Sequence, residues 1–383
     1  MSDTRIDFLY LSEEDMLKAG VTDMKECVEA IEEMFRIMKL GDYRMGGANG
    51  NSHGSMISFP AEPEFPNMPK DGPDRRFMAM PAYLGGRFDM AGMKWYGSNV
   101  ENKKKGLPRS ILMLCLNDKD TGAPLAFMSA NVLSAYRTGA VPGVGFKYFA
   151  KEDSKVVGIV GPGVMSRTAF DAMMAVRPGI TTLKIKGSSR TSPSAANFEA
   201  YVRGKYPTVA DISVVDTVEE AVRGSDIVEI ATSAQTGDLS QYPYVKEEWI
   251  EPGAMIACPA SARFDDDFII NRARNVADSI MLYEAWFEEY HTDDCPAYLV
   301  IPIPAVHVMD LIAEGKMTRD RIDDLGDVLL GNAPVHREPN EKVVYSVGGM
   351  PTEDVAWGSV VYRNALKNGI GVKLNLWDVP VLR

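Results

Sequence analysis

The stretch Val156–Phe170, VVGIVGPGVMSRTAF, constrains the fold more than any other part of the chain. It reads as a buried strand, a tight glycine turn and the first turns of a helix. Further apolar runs at 182–186, 212–215, 226–231 and 254–258 alternate with helical segments from about residue 135 onward. Strand–helix alternation of this kind predicts a parallel sheet covered on both faces, a Rossmann-type doubly wound α/β domain.

The flanks read differently. Residues 12–39 predict a helix pair: Ser12 and Asp15 form a capping-box pattern, and Met24, Cys27, Val28, Ile31, Phe35 and Met38 recur at helical spacing until Gly41. From there to Gly92 the chain is rich in Gly, Pro and Asn. SMISF and RFMAMPAY are strand-like islands on either side of PAEPEFPNMPKDGPD, which reads as a long loop. GMKWYG and SILMLCLND read as strands. The tail from Lys342 reads as a strand, a glycine turn and an amphipathic helix. The expected architecture is therefore α/β, with a Rossmann dinucleotide-binding domain over 137–339. A second domain of α+β type spans 1–136, and 340–383 return to it.

A length of 383 residues accommodates two such cores. The formal charge of -12 argues against nucleic-acid or membrane-surface partners, because a polyanion finds no general attraction. Lys103–Lys105 is the one dense basic run and reads as a solvated loop. Cys27, Cys115, Cys258 and Cys295 are too dispersed for a disulfide framework or a CxxC metal site, and three of them sit in apolar surroundings. His291 and Cys295 stand four residues apart without a second ligand pair, so no metal is expected. MSDTRIDF has no leader pattern, and no run approaches the ~20 apolar residues of a membrane span. The expected location is cytoplasmic.

In the strand–turn–helix, Gly161 and Gly163 would let the backbone approach a pyrophosphate at a helix N-terminus. Val164, Met165, Thr232 and Ser346 complete the expected cofactor contacts around that loop. Ser166 stands at the third fingerprint position, small enough for close packing. The second strand ends LKIKGSSRTS, where an NAD-selective site usually has an acidic residue for the ribose hydroxyls. Ser188, Ser189 and Arg190, with Lys186 nearby, suit a 2′-phosphate, which favours NADP(H) over NAD(H). The alternative is a polar turn whose arginine stacks on the adenine.

The ordered motifs GMKWYGSNVENKKKGLP, LNDKDTGAPLA, LSAYRTGA, VGIVGPGV and SVGGMPTEDVAWGSVVYRNA, spread over roughly residues 10–375, resemble the ornithine cyclodeaminase/mu-crystallin family. The resemblance implies a homodimer in which the N- and C-terminal segments bind a small amino or imino acid. It also implies that Lys94 is the active-site lysine and that Arg137 grips the α-carboxylate. Taken singly, Lys94 also reads as an exposed strand residue and Arg137 as a salt-bridged helix residue. Two departures stand out. Cyclodeaminating members place an aspartate after the fifth Rossmann strand, where GAMIACPASARFDDDF puts Ser261. Fifteen residues beyond the lysine they place a threonine, where this chain has Arg109 beside Ser110. A second carboxylate-binding arginine has no secure position; Arg44, Asn49, His53 and Arg76 are the candidates, with His53 equally readable as a turn histidine.

Three functions follow from that resemblance. The first is an NAD(P)-dependent oxidoreductase at the C–N bond of an α-amino or imino acid, either an amino-acid dehydrogenase or a ketimine reductase. The second is a redox-neutral ornithine cyclodeaminase. The third is an NADPH-binding protein of mu-crystallin type, whose pocket Trp95, Tyr96 and Trp357 would line.

Overall fold

A computed structural model of the chain describes residues 4–233 and 236–382. It comprises two compact units. One contains the chain up to Asp23, Leu40–Arg137 and the chain from Met350 on; the other contains Met24–Lys39 and Thr138–Gly349.

Elements are numbered along the chain. The first unit is a mixed sheet of β1 (Ile6–Leu11), β2 (Tyr43–Met45), β3 (Ser55–Ile57), β4 (Arg76–Leu84), β5 (Met90–Ser98), β6 (Ser110–Asn117), β7 (Pro124–Ser129) and β16 (Val372–Trp377). The order is β16-β1-β7-β6-β5-β4-β2, with β3 paired to β4. Every second residue of β5, from Met90 through Gly92, Lys94 and Tyr96 to Ser98, is buried on one face, as the period of two in a half-covered sheet requires. Helix α12 (Pro351–Asn368) covers that face over β4, β5 and β6. The capping box at Ser12 and Asp15 forms and opens α1 (Glu13–Lys18). The final strand β16, absent from the sequence reading, pairs antiparallel with β1.

The second unit holds a wholly parallel sheet in the order β10-β9-β8-β11-β12-β15-β13-β14. Its strands are β8 (Val156–Val160), β9 (Thr182–Lys186), β10 (Asp211–Val215), β11 (Ile227–Ile230), β12 (Met255–Cys258), β13 (Ala273–Ala277), β14 (Ile322–Asp324) and β15 (Lys342–Ser346). The first five lie where the apolar runs place them. The order reverses between β8 and β11, which makes their C-terminal ends the switch point where doubly wound sheets bind ligands.

Two expected boundaries shift. Strand β15 lies between β12 and β13, so the return to the first unit begins at Met350, not near 340. Helix α2 (Met24–Lys39) packs on α4 (Val164–Val176) and α11 (Leu325–Leu329) and belongs to the second unit. Strand β13 escaped notice because its sequence, ARNVA, is polar at its centre. Burial there is met by Arg274 pairing with Asp323 and Glu341, and by the Asn275 amide donating to the Ile269 carbonyl. Among the described residues, no helix is long and apolar enough to cross a membrane.

Candidate active site

In the first unit, the start of α12 meets the buried face of β5. Pro351 occupies the first turn, where its missing N–H costs nothing, and Glu353 and Asp354 follow it, where the helix dipole favours carboxylates. The Met350 N–H donates to Glu353 Oε1 at 2.8 Å. Lys94 Nζ lies 2.7 Å from Asp354 Oδ2, and Arg137, from helix α3 (Asn131–Phe149), donates through Nε to Asp354 Oδ1 at 2.9 Å. Arg137 Nη1 also donates to Glu353. Both cations reach the Ser134 hydroxyl oxygen at 3.4 Å. Lys94 Nζ stands 5.8 Å from the centre of the Tyr96 ring.

All four charges are buried, at 2% exposure for Lys94, 5% for Arg137 and 0% for Glu353 and Asp354. Two cations balance two anions, and without that pairing the desolvation cost would be several kcal/mol per ion. Burial, then the neighbouring Arg137 charge, push the Lys94 amine down to about 8 against the pull of Asp354 and Glu353. For Arg137, burial opposes the charge, yet Asp354 and Glu353 outweigh it and hold the guanidinium above its ordinary value. Lys94 is thus not an exposed strand residue. Arg137 is indeed salt-bridged, but in the same buried cluster as the lysine. The sequence reading missed Ser134, Glu353 and Asp354. The signal for the two acids was their adjacency in the opening turn of a helix that is otherwise uncharged and buried through Val361.

The other candidates from this unit divide. Arg76, Arg109 and Ser110 come together around Asp74. Arg76 Nη1 and Arg109 Nη1 each lie 2.7 Å from its carboxylate, the Ser98 hydroxyl donates to it at 2.6 Å, and Ser98 and Ser110 share a hydrogen bond at 2.9 Å. Arg44 does not join either group. It is exposed and donates to the carbonyls of Gly41 and Tyr43, because its place in β2 turns it away from the covered face. Asn49 accepts from Asn51 N at 3.0 Å, and His53 is half-buried in the same turn between β2 and β3. Trp357 is a core residue, fully buried, with its indole N–H on the Val21 carbonyl at 3.2 Å. Trp95 stacks on Phe77.

In the second unit a crevice of about 490 Å³ opens at the switch point, lined by Gly161, Gly163, Lys186, Ser188 and Thr232. Gly161 has φ +90, and a Cβ there would come 2.6 Å from the Ala231 carbonyl oxygen, so the turn itself requires glycine. Gly163 is different: it caps α4 in extended conformation, and a Cβ there would meet nothing within 4 Å. Its bareness keeps open the space in front of a helix start that has no side-chain cap. Thr232 Oγ1 is buried without a hydrogen-bond partner. Ser166 is fully buried and donates to the Gly161 carbonyl at 2.7 Å, fixing the loop. An orphaned hydroxyl, free helix N–H groups and an unfilled glycine are what a dinucleotide's pyrophosphate fits.

Around that crevice, Val164 and Met165 are exposed on the first turn of α4. Arg190, just past β9, pairs with Asp216 at 3.0 Å. Ser346 is not on the crevice wall: buried at the end of β15, its hydroxyl accepts the Ala305 N–H at 2.9 Å, because α10 (Pro304–Ala313) begins there with no cap of its own. Ser261 is buried in the loop after β12, beside Ala262, whose carbonyl accepts from Tyr298. Cys27 and Cys258 are buried thiols, whereas Cys115 and Cys295 are half-buried. His291 bonds Asp310 at 2.8 Å.

A family model described as ornithine cyclodeaminase/mu-crystallin family matches residues 20–369. Alanine dehydrogenase of Archaeoglobus fulgidus is 27% identical over 379 residues, covering 98% of this chain and 100% of that protein. Among solved structures, an archaeal alanine dehydrogenase dimer with bound NAD is similar at TM-score 0.74 and 26% identity, over 97% of this chain and 100% of that one. The Thermococcus litoralis Δ1-pyrroline-2-carboxylate reductase in complex with NADH and L-proline is similar at TM-score 0.73 and 26% identity, over 96% and 100%.

Proposed function

This chain belongs to the ornithine cyclodeaminase/mu-crystallin family, and from that premise we propose that it is an NAD(P)-dependent oxidoreductase acting on the C–N bond of an α-amino or imino acid. The observation that carries the proposal is the dry cluster in which Lys94 and Arg137 share one carboxylate, Asp354. A bound nicotinamide supplies hydride in the reductive direction and accepts it in the oxidative one.

Arg137 spends one N–H on each of its three nitrogens within the protein. The second N–H on each terminal nitrogen is left to a substrate α-carboxylate, gripped as a fork. In reduction, hydride adds to the imine carbon, the C=N electron pair moves to nitrogen, and a proton completes the amine. Lys94 is the donor of that proton while it is an ammonium, below about pH 8. Above about pH 8 it is a neutral amine and accepts the proton that oxidation releases. Asp354 holds both cations in place and so positions both ends of the substrate's α-carbon.

The test supplies NADPH or NADH with ammonium and a panel of 2-oxo acids, or with cyclic ketimines, and follows nucleotide oxidation at 340 nm. Turnover of at least one substrate is expected. Silence with all of them, at substrate concentrations into the millimolar range, would remove the proposal.

For the nucleotide, NADP(H) is favoured because the end of β9 offers Lys186, Ser188, Ser189 and Arg190 and no carboxylate. The Arg190–Asp216 pair is more than half exposed on both sides. Such a pair contributes little, so a phosphate dianion can take the guanidinium from it. Arg190→Ala is expected to weaken NADPH about tenfold to a hundredfold relative to NADH, read by fluorescence titration. An equal effect on both nucleotides would leave the 2′-phosphate assignment without support.

The chain is also proposed to act as a homodimer. Pro81, Met93, Cys115, Phe127, Tyr10 and Val372 lie in register as one continuous row across six strands, on the face opposite Lys94. None of the six is buried. An unburied row of this kind across a sheet supports an interface there, and a second copy would meet it about a twofold axis. Sedimentation is expected to return twice the 42.1 kDa chain mass; a monomer at micromolar concentration would contradict it.

A further inference from the structure

Strand register sets three successive rungs side by side on the covered face of the first unit. Met80, Lys94 and Leu114 form the first; Met78, Tyr96 and Leu112 the second; Arg76, Ser98 and Ser110 the third. Lys94 and Ser98 are four residues apart, about 13 Å along the strand. The first rung carries the Lys94–Arg137 cluster, whose charges sum to zero. The middle rung is apolar: Met78 and Tyr96 are buried, with Leu112 packed against them.

The third rung is cationic. Arg76 and Arg109 are both served by a single carboxylate, that of Asp74. Asp74 adopts φ 54, in the left-handed region that a non-glycine residue rarely enters. That conformation turns its carboxylate into the fork between the two guanidiniums and the Ser98 hydroxyl. The local excess is one positive charge, in a chain whose net charge is -12. Arg76 Nε is also buried without a hydrogen-bond partner. A structural clamp on the preceding loop needs one arginine on Asp74; a second arginine and an unmet N–H donor are what an additional anion satisfies.

We infer that the substrate carries a second carboxylate, held by Arg76 and Arg109 while its α-carboxylate sits on Arg137. This rests on the oxidoreductase reading above and specifies its substrate class: a dicarboxylic amino or imino acid. The neutral middle of the molecule lies along Tyr96 and Met78, and the reacting carbon lies at the Lys94 end. Asp74 is a positioning residue, which orients the two arginines and partly neutralises them in the absence of substrate.

Two measurements on the full chain decide it. The first compares reductive amination of 2-oxoglutarate and 2-oxoadipate with that of 2-oxopentanoate and 2-oxohexanoate, matched in length and lacking only the distal carboxylate. The ratio of kcat/KM for dicarboxylate over monocarboxylate is expected to be about a hundredfold and to fall toward one in Arg109→Gln. The second measures calorimetric binding of glutarate against pentanoate, unreactive probes of the same difference. Glutarate is expected to bind about tenfold more tightly or better, with the advantage lost in Arg109→Gln. A clamp that serves only the fold moves neither ratio. Equal binding of the two probes, or an advantage that survives Arg109→Gln, overturns the inference whether or not any oxo acid is turned over. Absence of turnover with all four oxo acids counts against the redox reading alone.

Discussion

Lys94→Met lowers kcat for imine reduction about 10³-fold, the loss expected when a positioned proton donor is removed. It also abolishes the alkaline limb of the kcat/KM profile. In the native protein the reductive kcat/KM is expected to fall as pH rises through about 8, the point at which Lys94 would lose its proton, and the oxidative kcat/KM to rise through the same point. Methionine preserves the length and packing of the side chain but leaves Arg137 facing two buried carboxylates. The variant is therefore destabilised by about 3–5 kcal/mol, the usual consequence of stripping one partner from a buried ion pair. Adding Asp354→Asn restores the balance to one cation and one anion, so the double variant recovers thermal stability without recovering turnover. Calorimetric melting beside steady-state rates separates the two effects. A Lys94→Met protein that keeps a tenth of native activity would exclude the lysine from the chemistry.

Gly163→Val separates the demands of the fold from those of a ligand. The backbone at Gly163 is extended, with φ -97 and ψ -166, a conformation valine adopts without strain, and no protein atom stands in the way of its Cβ. The melting temperature is expected to be unchanged. The isopropyl group would instead fill the space ahead of α4, and dinucleotide affinity is expected to fall about a hundredfold, roughly 2.8 kcal/mol. Gly161→Ala gives the opposite signature. At φ +90, with the Ala231 carbonyl oxygen 2.6 Å from the new Cβ, the loop itself is strained and melting falls with or without nucleotide. Unchanged nucleotide affinity in Gly163→Val would mean that the pyrophosphate does not lie at this helix.

Local patterns carried most of the fold. Five parallel strands, the glycine turn and the capping box at Ser12 were legible because each depends on residues close in sequence. Long-range choices were not. Strand β15 resembles any short apolar run, and only its register with Met255–Cys258 and Ala273–Ala277 assigns it to the parallel sheet. Strand β16 has the alternation Val372, Leu374, Leu376, but an exposed terminal strand is defined by its partner, here β1. The site was half visible. Lys94 and Arg137 stood in recognisable motifs, whereas Glu353 and Asp354 arrive from more than two hundred residues away, and no spacing rule links them to the lysine. Arg76 and Arg109 were individually suspected; what joins them is Asp74, whose unusual backbone conformation has no signature in composition.

The even sum of charges around Lys94 has a bearing on how the protein handles protons. An arriving α-carboxylate tips a balanced, water-poor set toward negative, and the least costly restoration is for the lysine to retain or recapture its hydrogen ion. The ligand would thereby arm the group that acts on it. Complexes would stay charged at alkalinities where vacant molecules have already let go, so the acidity governing kcat lies higher than the one governing kcat/KM.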